Sequence, residues 1–245
     1  MIPITGVSLI EQFRSYFQCT AEELSERVRN RMPALHSEWH TFFDGKEVNE
    51  TTLADFYTRS EILKYAYLHT GLSQIQFGIT AMKDIAERYP FQTMLDIGCG
   101  FGILSGIFCD EVDVWLADFP NTHMAFLPIL WEKAHTVSLL DIQQIPATFD
   151  VVYCSEVLEH TLHPVQFFLE QVAGRLKENG TAIVAYSFIG YESNHTHLKD
   201  GMKYMSEGRD SFLDELAAVG WRMVYTPNNT LKVFKHGSSN RERTV

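Results

Sequence analysis

The chain has 245 residues and a formal net charge of −11, with 20 Lys and Arg against 31 Asp and Glu. At 45% hydrophobic and 21% charged residues it can bury a core, so its composition is not that of a disordered chain. The acidic balance disfavours a nucleic-acid partner held through phosphates, and no apolar run approaches the roughly 18 residues that suggest a membrane span.

The length suits one domain of about 150 residues plus an elaboration. The expected division is a helical extension or lid over residues 1–90, a main domain over 91–236 and a polar tail over 237–245. Met1 to Leu9 lacks the charge and apolar stretch of a secretory leader. Cys19, Cys99, Cys109 and Cys154 show no C-x-x-C spacing, which fits reduced thiols and a cytoplasmic setting.

Ahead of Pro90 the pattern is helical. Thr20 and Glu23 form an S/T-x-x-E capping box before Leu24, Val28 and Met32, and Pro33 is expected to stop that helix. Thr52 and Asp55 offer a cap for a second helix through Ile62, Tyr65 and Leu68. From Leu72 to Tyr89, apolar residues recur at spacings of three and four, which predicts one long helix ended by Pro90.

From Thr93 short apolar runs alternate with helical stretches. Strands are expected at Thr93 to Ile97, Val112 to Ala117, Thr136 to Leu140, Val151 to Cys154 and Thr181 to Tyr186. Helices are expected at Ile103 to Phe108 and at Val165 to Leu176, the latter stopped by Asn179-Gly180. This alternation predicts βαβ units and a parallel sheet covered on both faces, an α/β fold of doubly wound, Rossmann-like type. A helix from Phe212 to Val219 and two strands, Trp221 to Tyr225 and Thr230 to Phe234, close the chain as a hairpin.

The segment richest in chemistry is Leu95-Asp96-Ile97-Gly98-Cys99-Gly100-Phe101-Gly102, which follows a strand and opens a helix. Glycines there let the backbone turn sharply and let a ligand approach without meeting a Cβ atom, and free N–H groups at a helix start favour a polar group. Asp118 lies 20 residues after Gly98, at the end of the second strand, where a carboxylate can accept both hydroxyls of a ribose. Position 103 is Ile, so the dinucleotide spacing G-x-G-x-x-G is not met; that argues against a nicotinamide enzyme.

Asp96-Ile-Gly-Cys-Gly-Phe-Gly102 resembles the first motif of class I S-adenosylmethionine-dependent methyltransferases. The resemblance continues through Asp118, Asp141, Phe149 to His160 and Leu176 to Gly180, and covers about residues 75–235. It implies a seven-stranded sheet with an antiparallel last strand, and S-adenosylmethionine as cofactor. It also implies roles: Asp96, Gly98 and Gly100 on the methionine part, Asp118 at the ribose, Asp141 with Ile142 at the adenine, and Ser155 and Glu156 beside the methyl group, with Cys99 and Phe119 also among the cofactor-binding residues. In similar enzymes a helical extension walls the acceptor pocket, which makes Tyr57 and Arg59 candidates to face a ligand.

The implied reaction needs alignment of a nucleophile and removal of its proton, work most often done by His, Asp or Glu. Glu156-Val-Leu-Glu159-His160 and Tyr191 to His197 follow strands four and five at one sheet edge, so His160, Glu159 and His197 are the catalytic candidates. Glu156, Glu159 and His160 with His197 also form a possible divalent-cation site. The string is similar to ubiquinone-pathway O-methyltransferases and to small-RNA 2′-O-methyltransferases, where metal use is known, yet E-V-L-E-H also occurs in methyltransferases without metal. The expected activity is methyl transfer to O or N of a small organic acceptor. The alternatives are a metal-assisted 2′-O-methyltransferase acting on an RNA terminus and a non-catalytic nucleoside-binding protein of the same fold.

Overall fold

Strand β1 (Thr93–Ile97) is buried over its last four residues, as a strand covered on both faces must be. It lies inside a seven-stranded sheet with β2 (Asp113–Asp118), β3 (His135–Ser138), β4 (Phe149–Ser155), β5 (Leu176–Ala185), β6 (Trp221–Tyr225) and β7 (Lys232–His236). The order is β3-β2-β1-β4-β5-β7-β6. All pairs are parallel except those of β7, which runs antiparallel to both β5 and β6. The computed structural model describes residues 5–188, 198, 204, 211–228 and 230–237.

Helices cover both faces. On one, α1 (Gly6–Phe17), α5 (Leu63–Phe77) and α6 (Ile79–Arg88) bury Phe13, Leu68 and Met82 against Met94 and Tyr153. On the other, the helical stretch from Pro164 to Arg175 and α8 (Ser211–Ala218) bury Phe168 and Phe212 against Leu95 and Val152. A third cluster, Leu35, Trp39, Phe43, Leu53 and Phe56, joins α3 (Arg31–Phe43) to α4 (Glu50–Arg59).

Strand order reverses beside β1, the place where open α/β sheets bind ligands at their carboxyl ends. Register fixes what meets there. Ile97 pairs with Ala117 on one side and Cys154 on the other, so Gly98, Asp118 and Ser155 leave the sheet together.

Several boundaries differ from the sequence reading. The capping box at Thr20 forms, with Glu23 N–H donating to Thr20 Oγ1 at 3.1 Å and Thr20 N–H to Glu23 at 2.8 Å. However, α2 (Ala21–Arg29) ends at Asn30, and Pro33 sits in the first turn of α3, where a missing N–H costs nothing. The cap of α4 is Asn49, which accepts from Thr52 N–H at 3.0 Å, so Thr52 lies one turn inside the helix. The expected helix through Ile62 is interrupted after Arg59, and the one from Leu72 to Tyr89 breaks at Gly78. A Cβ at Gly78 would come within 2.8 Å of Leu104 Cδ1, a close approach that only glycine allows.

Helix α7 (Ile103–Gly106) is shorter than expected. β3 stops at Ser138, whose hydroxyl accepts the Leu140 N–H at 3.1 Å and turns the chain; Asp141 therefore lies beyond the strand, in the turn Leu139–Gln144. Asn179 does not cap a helix: the helical stretch ends at Arg175, and Asn179, at φ 64°, turns the chain inside β5 where its pairing with β4 shifts register. The tail from 238 to 245 lies outside the described residues.

Candidate active site

The turn after β1 is built by its own backbone. Gly98 and Cys99 N–H both donate to Ala117 O, at 2.8 and 3.1 Å, and Gly102 N–H closes back on Cys99 O at 2.7 Å. Gly98 has φ 68°, and a Cβ there would lie 2.4 Å from Val157 Cγ2, so a side chain is excluded on two independent counts.

Asp118 closes β2 and is buried. Its Oδ2 accepts the Gly100 N–H and its Oδ1 the Phe119 N–H, both at 2.7 Å. A carboxylate has about four acceptor directions, so two remain open. His123, fully buried, places Nε2 3.4 Å from Oδ2.

A cavity of about 600 Å³ opens above these groups. It is lined by Gly98, Cys99, Gly100, Asp118, Phe119, Ile142 and Ser155 of the expected cofactor set, and by His160 of the catalytic set. Asp96 lies behind the turn, 2% exposed, where it accepts a hydrogen bond from the Ser105 hydroxyl. Burial, opposed by that hydrogen bond and reinforced by the charge of Asp118, lifts the Asp96 carboxyl to about 8. Asp141 is exposed, accepts from Gln144 at 3.2 Å and is not on the wall; its neighbour Ile142 is.

The string after β4 divides in space. Glu156 adopts φ 56°, a left-handed conformation rare for a side-chain-bearing residue, and lines the cavity. Glu159 turns inward and is 1% exposed, with Oε1 accepting the Ser187 N–H at 3.3 Å and Oε2 unpartnered. Burial, and then the charge of Glu156 beside it, push its carboxyl well above the usual range. His160 faces the cavity, its ring edge-on to Tyr57 at 6.1 Å. His195 and His197 lie outside the described residues. Among the described residues no three His, Cys, Asp or Glu side chains converge to hold a metal ion.

The helical extension roofs the cavity. Tyr57 of α4 stacks on Phe119 at 5.7 Å, and its buried hydroxyl has no hydrogen-bond partner. Tyr67 of α5 packs on Gly100. Arg59, the other candidate on α4, instead pairs with Asp55 at 2.5 Å, its side chain 72% exposed and off the wall. Asn121 bolts the roof down by donating Nδ2 to the carbonyls of Tyr57 and Ser60, each at 2.7 Å. The sequence reading did not single out Asn121, Val157 or the α5 residues Thr70 and Gln74, because their roles arise from contacts between segments far apart in the chain. Asn in the loop straight after Asp118 is the one local signal.

These features fit an adenosyl cofactor. Two open acceptor directions on a buried carboxylate suit ribose hydroxyls, the bare backbone at Gly98 suits a close methionine chain, and the unpartnered Tyr57 hydroxyl awaits a polar group. The sheet order and the glycine turn clamped to Asp118 are similar to those of class I S-adenosylmethionine-dependent methyltransferases. Residues 95–182 match the family model described as a methyltransferase domain.

Two curated relatives are similar over part of the chain. The mitochondrial ubiquinone biosynthesis O-methyltransferase of Schizosaccharomyces pombe is 35% identical over 110 residues, covering 40% of each chain. The ubiquinone biosynthesis O-methyltransferase of Caulobacter vibrioides is 37% identical over 115 residues, covering 42% of this chain and 44% of the relative. The chain thus spans about two fifths of the length of the curated relatives it matches. Among solved structures, an O-methyltransferase family protein from Burkholderia thailandensis shares the fold with a TM-score of 0.58 at 10% identity, over 88% of this chain and 72% of that one.

Proposed function

We propose that this chain transfers the methyl group of S-adenosylmethionine to an O or N atom of a small organic acceptor. When bound, that cofactor supplies a methyl group already electrophilic on its sulfonium sulfur. Asp118 accepts the ribose hydroxyls in its two open directions, and Phe119 and Ile142 wall the adenine. Gly98, Cys99 and Gly100 admit the methionine chain, with the Asp96 carboxyl behind them. The roof of α3, α4 and α5, closed by Tyr57 and Asn121, keeps water from the reacting atoms, which favours a step in which charge is dispersed.

Proton removal falls to groups on the wall. Glu159, buried and inward, positions the turn; His160 and Glu156 face the cavity and can accept a proton, and His197 belongs to the same proposal. The metal-assisted reading would need Glu156, Glu159, His160 and His197 to converge, and the inward turn of Glu159, buried and off the cavity wall, disfavours it. No helix among the described residues is long and apolar enough to cross a membrane. Four unpaired cysteines, three of them buried, support placement in the cytoplasm, although one relative is mitochondrial by name.

The observation that carries the reading is Asp118, buried and clamped to the glycine turn while keeping two acceptor directions for a ligand. Incubation with methyl-labelled S-adenosylmethionine and a panel of hydroxylated and amino acceptors tests it. Label in an acceptor with equimolar S-adenosylhomocysteine supports it; no product from any acceptor counts against it.

A further inference from the structure

A second chamber of about 310 Å³ adjoins the large cavity, and Glu156 and Ser155 line both. We propose that this chamber is the acceptor site and that it takes a compact, hydrogen-bond-rich molecule that is neutral or cationic, not anionic. The inference rests on the methyltransferase reading above and specifies its substrate class.

Three observations carry it. The first is Tyr153 on β4, which lines the chamber, is 2% exposed and has a hydroxyl with no hydrogen-bond partner in the structure. Leaving a buried hydroxyl without a partner is unfavourable, and a polar ligand relieves that. The second is Glu156, whose left-handed backbone holds its carboxylate at the junction of the two spaces; among the described residues it is the one non-glycine residue on a cavity wall with positive φ. Strain of this kind persists where surrounding structure enforces it and clusters at ligand sites. The third is Asn228 in the β6–β7 loop, whose Oδ1 is taken by the N–H groups of Thr230 and Leu231 at 2.9 and 2.7 Å. Among the described residues its NH₂ group has no partner and can be offered to a ligand.

The charge balance sets the acceptor class. Among the described residues the chamber wall holds one carboxylate, Glu156, and no Lys or Arg. Its histidine, His69, is held below its ordinary value by burial and then by the Arg31 charge, and so favours the neutral form. An anion in the chamber would meet Glu156 with no Lys or Arg on the same wall, since Arg31 lies on the wall of the large cavity. An amine or hydroxyl would find acceptors and donors in Glu156, Tyr153, Asn228 and Ser73. The wall of the large cavity carries Arg31 beside Met32 and Leu35, a cation that the chamber wall lacks.

Saturation-transfer NMR on the chain saturated with S-adenosylhomocysteine tests the proposal with three probes of similar size: glucosamine, myo-inositol and gluconate. Glucosamine and myo-inositol should show transfer and gluconate should not. Ser73→Trp, which puts a large side chain on the wall of the chamber and not of the large cavity, should abolish that transfer while S-adenosylhomocysteine affinity stays within twofold. Tyr153→Phe, which removes only the orphaned hydroxyl, should weaken the better probe several-fold and leave nucleoside affinity unchanged. Transfer to gluconate equal to or above the others, no transfer to either of the others, or insensitivity to both variants overturns the proposal. Failure of the wild-type chain to bind S-adenosylhomocysteine would instead overturn the methyltransferase reading itself.

Discussion

Gly100 donates its N–H to Asp118 Oδ2 at 2.7 Å, so the turn after β1 and the carboxylate closing β2 form one rigid unit before any ligand arrives. The bond is buried and charge-assisted, the stronger kind. Asp118→Ala should therefore destabilise the unliganded protein by about 1–3 kcal/mol, because two backbone N–H groups lose their acceptor. Asp118→Asn, which keeps one oxygen, should cost less. Chemical denaturation of the three proteins checks the order; equal midpoints would mean that the clamp contributes nothing.

The turn and the packing behind it can be separated by two glycine substitutions. Gly98→Ala places a Cβ 2.4 Å from Val157 Cγ2 in a backbone conformation that alanine resists, on the cavity wall. Gly106→Ala places one 2.3 Å from Trp131 Cδ2, inside the core and away from the cavity. Both should lose about 1–3 kcal/mol of stability through overpacking. Nucleoside affinity should fall tenfold or more only in Gly98→Ala, as read by calorimetry at a temperature where both variants are folded.

Stability should depend on pH through Asp96. Its folded value of about 8 lies above the roughly 3.9 of an unfolded aspartate, so the folded state holds a proton that the unfolded chain releases. The stabilising contribution is therefore complete below about pH 4 and is lost progressively as pH rises towards 8. Glu159, raised by burial and by Glu156, acts in the same direction. Unfolding free energy of the unliganded protein should fall by about 2 kcal/mol or more between pH 5 and 8, within the ~1.4 kcal/mol per unit that one proton allows. Asp96→Asn should flatten that decline; an unchanged slope would show that the carboxyl is already ionised.

The roof should be separable from the site. Asn121→Ala leaves the carbonyls of Tyr57 and Ser60 without their donor and should cost about 1–3 kcal/mol. It should also loosen the Tyr57–Phe119 stack and weaken the nucleoside. Tyr57→Phe removes a hydroxyl that has no partner, so unliganded stability should hold or rise. Methyl transfer should still fall if that hydroxyl meets the ligand. A loss of unliganded stability in Tyr57→Phe would reveal a partner for the hydroxyl.

What could be read from the sequence was whatever depends on local spacing. The strand, glycine turn and helix at 93–106, with Asp118 20 residues on, needed only alternation and punctuation, and the register of β1 and β2 then brought Gly100 to Asp118. Breaks at Gly78 and after Arg59 were not legible, because apolar periodicity continues across both and only the approach of Leu104 to Gly78 explains the first. Asp141 was placed at a strand end because no residue pattern marks where β3 stops; the Ser138 cap does that. Glu159 and Glu156 look equivalent in the string E-V-L-E-H. The left-handed backbone of Glu156 sends one to the cavity and the other into the core, a distinction set by the β4–β5 edge through Glu156 N–H to Ala185 O at 2.9 Å.

We propose that the cavity above Gly98 and Asp118 holds an adenosyl nucleoside through that carboxylate. Calorimetric titration of the wild-type chain and of Asp118→Ala with S-adenosylhomocysteine tests it most directly. Saturable binding at one site in the wild type, weakened tenfold or more by the substitution (about 1.4 kcal/mol), is the predicted result. No heat in the wild type at high micromolar nucleoside, or equal affinity in the two proteins, would contradict it.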